Sequence, residues 1–288
     1  MRKKRVVLYF VLVFLMFAFN FYFRPIKGNE LVTENYRDSK AYINGLYMSD
    51  EYFKKKVLSK ENYHIYDEII KGNLNHKTTV EIPCSEDCAD SFTDAYYALY
   101  LDHPELISFM GIRTYQFNEG KITYNSYESL SNLRTTLGAR RIEREMENIR
   151  KDTKDMNEKE KIIYVYNYVA SHNYDRMFTY TGSNQSTYSF FTKKSSVCAG
   201  FAKSSQIIFQ NIGIKSYLAL SSDHMWNYVE YEGKYYIFDA TVGTSYYDKK
   251  NANYYEGLGR TTTGAVEGMF MEYYPKIEDK PLREIFGL

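Results

Sequence analysis

Cys198, His224 and Asp239 have the types and the order that nucleophilic chemistry requires. Cys198 lies in "SSVCAGFAKSSQIIFQ" (195–210), one of only three cysteines in a chain of 288 residues. The spacing predicts a helix beginning at or beside it. Ala202, Ser205, Ile208, Phe209 and Ile212 form one mostly apolar stripe, and Gly213 closes it. A thiolate in the first turn of a helix is stabilised by unpaired backbone N–H groups and by the positive end of the helix dipole. Lys193 and Lys194 stand just before it. The same N–H groups can receive the oxyanion of a tetrahedral intermediate. By position alone, Cys198 also fits a small buried apolar residue or half of a disulfide.

A cysteine nucleophile needs a base, and the base needs a group to orient it. Three strands follow the helix: "IKSYLAL" (214–220), "MWNYVEY" (225–231) and "KYYIFDA" (234–240). A two-residue turn at Glu232-Gly233 would join the last two as a hairpin. In that register Trp226 faces Asp239 and Tyr228 faces Ile237. His224 and Trp226 share a strand face, which sets His224 diagonally beside Asp239. An aspartate on one imidazole nitrogen fixes the tautomer and leaves the other for Cys198. A three-residue turn would break this register. His224 as a polar loop residue and Asp239 as a strand-end cap are the plainer readings of each alone.

Other chemistries find less support. His64, His76, His103 and His172 show no metal-ligand spacing with carboxylates or with each other. His172, just before "NYD", is an alternative base without a paired strand to place it. No calcium loop or phosphate-binding glycine loop appears, so no metal, nucleotide or other cofactor is expected.

The chain opens with "MRKKRVVLYFVLVFLMFAFNFYFRP". Val6 to Phe23, interrupted only by Asn20, would span about 27 Å as a helix, close to the hydrocarbon thickness of a bilayer. No small-x-small cleavage site follows, so an uncleaved signal-anchor is preferred to a cleaved signal. Arg2, Lys3, Lys4 and Arg5 should stay cytoplasmic, placing residues 24–288 outside. Of 37 basic residues these four lie in the first five positions, leaving 33 against 36 acidic ones. Such a mildly acidic body does not favour nucleic acid. In an oxidising compartment Cys84 and Cys88 of "PCSEDCAD" form a disulfide or remain two free thiols, and Cys198 is left over.

Residues 24 to about 55 lack a sustained pattern and read as a stalk with a helical start. Helices are expected over 61–72, over 88–106 up to His103-Pro104, and from about Ser129 to Lys151. "TTVEIP" reads as a short strand, and residues 111–127 as a hairpin turning near Asn118 to Gly120. A further helix begins at Asn157, with Glu160 completing a capping box, and lines one face with Ile162, Val165, Tyr166 and Val169. Residues 174–197 are polar, and 246–288 carry no readable pattern.

The sequences "VCAGFAKSSQIIFQNIGIKSYLAL" and "HMWNYVEYEGKYYIFDAT" resemble the transglutaminase-like superfamily of cysteine enzymes. "DTKDMNEKEKIIYVYNYVASHNYD" and "STYSFF" share the likeness, which covers roughly residues 150–245, about a third of the chain. "YALYLDHPEL" is more weakly similar to a mixed region that often precedes this domain in exported bacterial proteins. The resemblance implies an α+β, papain-like core, with the nucleophile helix packed on an antiparallel sheet that carries His and Asp. It implies Cys198 as nucleophile, His224 as general base and acid, Asp239 as orienting carboxylate, and Trp226 packed beneath them. Two positions depart from the common pattern: Ser196 where Gly often precedes the Val-Cys pair, and Ala240 where Pro often follows the Asp. Ser196 bears on the shape of the preceding loop and hence on substrate preference.

The domain reading is a signal-anchor over 1–23, a juxtamembrane stalk over 24–55, a helical and mixed region over 56–150 and a catalytic domain over 151–288. The expected activity is attack on protein or peptide amides at the cell surface through an acyl-thioester on Cys198. Water is the default acceptor, which favours hydrolysis over glutamine transamidation or deamidation. A non-catalytic polypeptide-binding module on the same fold is the alternative from another class.

Overall fold

A computed structural model describes residues 50–288 except 128–129, 176–183, 246–249, 252 and 262–269, together with two short paired strands, β1 (Tyr42–Ile43) and β2 (Leu46–Tyr47). The apolar stretch 6–23 lies outside the described residues. Among the described residues no helix is long and apolar enough to cross a membrane.

The first half packs four helices around a three-stranded antiparallel sheet. The helices are α1 (Tyr52–Val57), α2 (Tyr63–Leu74), α3 (Glu86–Asp90) and α4 (Phe92–Asp102). The sheet has the order β3 (Thr79–Pro83), β5 (Lys121–Ser126), β4 (Ile112–Asn118). In α2 the helical spacing buries Ile65, Tyr66, Ile69 and Ile70, while β3 alternates and buries Val80 and Ile82. The single helix expected over 88–106 is two helices parted at Ser91. Cys84 and Cys88 are joined by a disulfide that ties the end of β3 to α3. Asp102, at the end of α4, caps α1 from outside. Its carboxylate accepts from the Phe53 and Lys54 backbone N–H groups at 2.9 Å each and from the Tyr66 hydroxyl at 3.0 Å.

The second half is built on α5 (Asn132–Thr153), α6 (Glu158–Ala170), α7 (Thr187–Lys193) and α8 (Cys198–Asn211), with a second antiparallel sheet. Between α6 and α8, β6 (Asn173–Tyr174) and β7 (Ser195–Ser196) pair in parallel. Asn157 and Glu160 make the reciprocal capping box that opens α6. The sheet has the order β10 (Lys234–Phe238), β9 (Met225–Tyr231), β8 (Ser216–Leu220). Near the C-terminus, α9 (Leu282–Phe286) seals the core with Leu282 and Phe286.

The helix α8 lies on β8 and β9 and is buried along nearly its whole length. Phe201, Ile207, Ile208 and Phe209 join the core shared with α5, α6 and α7. Ala199 and Ala202 face the other core, formed with α2 and α4. Placing the start of α8 between two cores fixes it from both sides.

Candidate active site

Local chemistry sets the start of α8. Lys194 takes a left-handed conformation (φ 56°) that ends α7 and turns the chain into β7. Ser196 is fully buried, and its hydroxyl donates to the Asn184 carbonyl and lies 3.0 Å from the Ser189 hydroxyl. Val197 N–H donates to the Asn184 carbonyl at 3.0 Å, so the loop before the cysteine is pinned at two successive residues. One turn on, Gly200 faces the Ser196 side chain so closely that a Cβ there would overlap its hydroxyl. The serine at 196 and the glycine at 200 are therefore complementary. No side chain caps α8 by the usual N-cap bond; Gly200 N–H donates to the Val197 carbonyl at 3.0 Å, and Tyr174 lies against the Cys198 backbone. Cys198 is a free thiol, partly accessible to solvent.

The hairpin has the register that a two-residue turn dictates. Glu232 and Gly233 both have positive φ (51° and 75°), the conformation of a type I′ turn. Tyr231 pairs with Lys234, Tyr228 with Ile237, and Asn227 with Phe238. Asp239 follows the last residue of β10, and His224 precedes the first residue of β9. His224 Nε2 lies 2.8 Å from Asp239 Oδ2. That bond occupies Nε2, and Cys198 lies close enough to the imidazole to raise its affinity for a proton. Trp226 stacks near-parallel to His224, with centroids 5.9 Å apart and planes inclined by 17°.

Electrostatics couples the three groups. Burial works against a charged His224, but the hydrogen bonds to Asp239 and Cys198 and the negative charge on both override it. The imidazole is raised to about 10. Asp239 is buried, and its second oxygen accepts from Thr241 N–H at 3.2 Å.

Several residues around the site were not singled out from sequence. Asn227 is buried and donates to the Ala202 carbonyl of α8 at 3.0 Å. With the Gln206–Ser216 bonds of 2.6 and 2.8 Å, it locks the helix onto the sheet. Its signal was a polar residue inside an otherwise apolar strand. Tyr174, on β6, lies against Cys198; burial and the neighbouring thiol hold its phenol above the ordinary range. Arg260 Nη1 lies 3.1 Å from the same Asp239 oxygen that His224 uses.

Of the other histidines, His172 does not reach the site. Its ring stacks on Phe190 at 4.1 Å, and Nδ1 donates to the Tyr168 carbonyl at 3.0 Å. His103 is buried against Glu105 at 2.6 Å. Among the described residues no group of His, Cys, Asp and Glu side chains has a metal-binding arrangement.

The second half thus sets a helix that begins at a cysteine on an antiparallel sheet, with histidine and aspartate supplied by adjoining strand ends. No family model and no curated protein matches the chain. Among solved structures it is similar to a candidate cysteine protease from Cytophaga hutchinsonii, at 13% identity over 45% of this chain and 61% of that one, with a TM-score of 0.29. It is also similar to a TGase, at 14% identity over 73% of this chain and 63% of that one, with a TM-score of 0.34. The chain spans less than two thirds of the length of either structure.

Proposed function

We propose that this chain is a membrane-anchored, extracytoplasmic thiol enzyme that hydrolyses protein or peptide amides at the cell surface. The observation that carries the reading is a free thiol at a helix start, beside an imidazole that a buried carboxylate holds at 2.8 Å. The anchored, exported topology rests on the basic, apolar N-terminal sequence, and the Cys84–Cys88 disulfide suits an oxidising compartment.

In this mechanism the Cys198 thiolate attacks the amide carbonyl carbon, and the carbonyl electron pair moves onto oxygen. The first-turn N–H groups of α8 receive that oxyanion. Collapse of the intermediate breaks the C–N bond, and imidazolium His224 gives its proton to the leaving amine. The acyl group is then a thioester on Cys198. Water adds to it as neutral His224 takes one of its protons, the carboxylic acid leaves, and the thiolate–imidazolium pair is restored. Asp239 keeps the imidazole in the productive orientation throughout without taking the proton itself.

The test is to incubate the protein, and its Cys198→Ala variant, with an unfolded protein in water, with and without a small primary amine. New amino termini that depend on Cys198 support hydrolysis. Amine incorporation into glutamine side chains, or their deamidation, would move the assignment to acyl transfer or side-chain hydrolysis. Binding of the unfolded protein by both forms, without any product, would identify a non-catalytic module.

A further inference from the structure

Two cations converge on one oxygen in this site. His224 Nε2 and Arg260 Nη1 approach Asp239 Oδ2 at 2.8 and 3.1 Å, and the carboxylate is almost wholly buried. Arg260 is itself about half exposed, and an ordinary surface pair of that kind contributes little. This one differs in how its backbone is held. Gly257 packs on the Asp239 main chain so tightly that a Cβ there would overlap the Asp239 carbonyl, and Asp239 N–H donates back to the Gly257 carbonyl at 3.2 Å. Leu258 is fully buried in the core, and the Tyr166 hydroxyl donates to the Tyr254 carbonyl at 2.7 Å. The turn at 254–258 is thus clamped to the aspartate, and it delivers a guanidinium two residues later.

We infer that Arg260 is a positioning residue for the Cys198–His224 pair, acting through Asp239 by fixing the carboxylate and by setting the pH range over which the pair is charged. The inference rests on the reading of Cys198 and His224 as a thiolate–imidazolium pair.

The sign follows from charge. The titratable groups facing this centre are His224 beside β9, Cys198 of α8, Tyr174 of β6, Tyr166 of α6 and Tyr100 of α4. Lys203, further along α8, is buried with its Nζ over the Tyr100 ring at 3.5 Å, and burial lowers it to about 7. Among the described residues, Arg260 is thus the permanent cation bonded to the site carboxylate. A fixed positive charge favours loss of a proton from every nearby group. Its removal therefore moves both proton losses of the pair, from the thiol and then from the imidazolium, to higher pH. With an effective dielectric of about 40–80 and a separation of roughly 6 Å, the displacement is ~0.5–1 pH unit.

The experiment is the rate of Cys198 alkylation by iodoacetamide from pH 4 to 10, for the wild-type full chain and for Arg260→Ala, Arg260→Gln and Arg260→Lys. No substrate is needed. The acid limb of the Ala and Gln variants is expected ~0.5–1 unit above wild type, with the difference shrinking at high salt, and Lys is expected to restore most of it. Unchanged Trp226 fluorescence would keep the comparison within folded protein. Ala and Gln profiles that superimpose on wild type would overturn the inference while leaving the thiolate–imidazolium reading intact. A Lys variant displaced as far as Ala would also overturn it, since charge would then not be the cause. Wild-type alkylation that ignores His224→Ala would remove both readings together.

Discussion

The complementarity of Ser196 and Gly200 yields a double-mutant cycle whose outcome is set by packing around the cysteine between them. A Cβ at Gly200 would overlap the Ser196 hydroxyl and come within 2.8 Å of its Cβ and 3.0 Å of the Ser186 carbonyl. Helix propensity alone favours Gly200→Ala by about 1 kcal/mol. Overpacking of a closed site costs about 1–3 kcal/mol, and here the Ser196 side chain, tied to Asn184 and Ser189, has little freedom to withdraw. Gly200→Ala alone should therefore destabilise, by up to about 2 kcal/mol. Ser196→Gly alone gives up two buried hydrogen bonds, at roughly 1–3 kcal/mol. In the double variant the overlap with residue 196 is gone, so it should be more stable than the sum of the single effects by about 1–3 kcal/mol. Urea unfolding followed by Trp226, the single tryptophan of the chain, measures all four corners. The alkylation rate of Cys198 should fall in Gly200→Ala and recover in the double variant. Additive energies, or a Gly200→Ala variant as stable as wild type, would refute the packing argument.

His172 supplies a prediction in pH. Burial lowers it to about 4, partly offset by its bond to the Tyr168 carbonyl. Between about pH 4 and its ordinary value near 6.5 the unfolded chain binds the proton and the folded chain does not, so stability is lost as pH falls through that window. The contribution is roughly 3 kcal/mol. His172→Leu should remove it, giving a shallower acid limb in urea unfolding at pH 7, 6, 5 and 4; parallel limbs would show that His172 does not titrate as described. Asn227→Ala removes the tie from β9 to the Ala202 carbonyl and should cost about 1–3 kcal/mol, with slower alkylation of Cys198. Unchanged stability and alkylation would mean that the Gln206–Ser216 bonds alone seat the helix.

The hairpin and α8 were legible in the sequence because each is decided locally. Glu232-Gly233 allows a type I′ turn, and that turn fixes which residues face each other all the way to Asn227 and Phe238. The apolar stripe from Ala202 to Ile212 and the closing Gly213 define α8 without outside help. Elements decided by tertiary contacts were not legible. The seven-residue helix α7 looked like part of a polar loop, since its apolar pair Phe190 and Phe191 gains meaning only when buried against α6 and α8. The two-residue strands β6 and β7 leave no period to read, yet they bring Tyr174 to Cys198. The break at Ser91 lies within a continuous helical pattern. Arg260 belongs to a stretch without periodicity, and its approach to Asp239 follows from Gly257 and Leu258 packing in three dimensions.

The central claim is that Cys198 and His224 form one ionised pair. Its most direct measurement is reaction of the purified protein with substoichiometric iodoacetamide from pH 5 to 8, with the labelled thiols mapped by mass spectrometry beside His224→Ala. Labelling concentrated at Cys198, already fast near pH 6 and slowed in the variant, is the predicted result. Labelling of Cys198 that rises only above pH 8, or that is the same with and without His224, would contradict it.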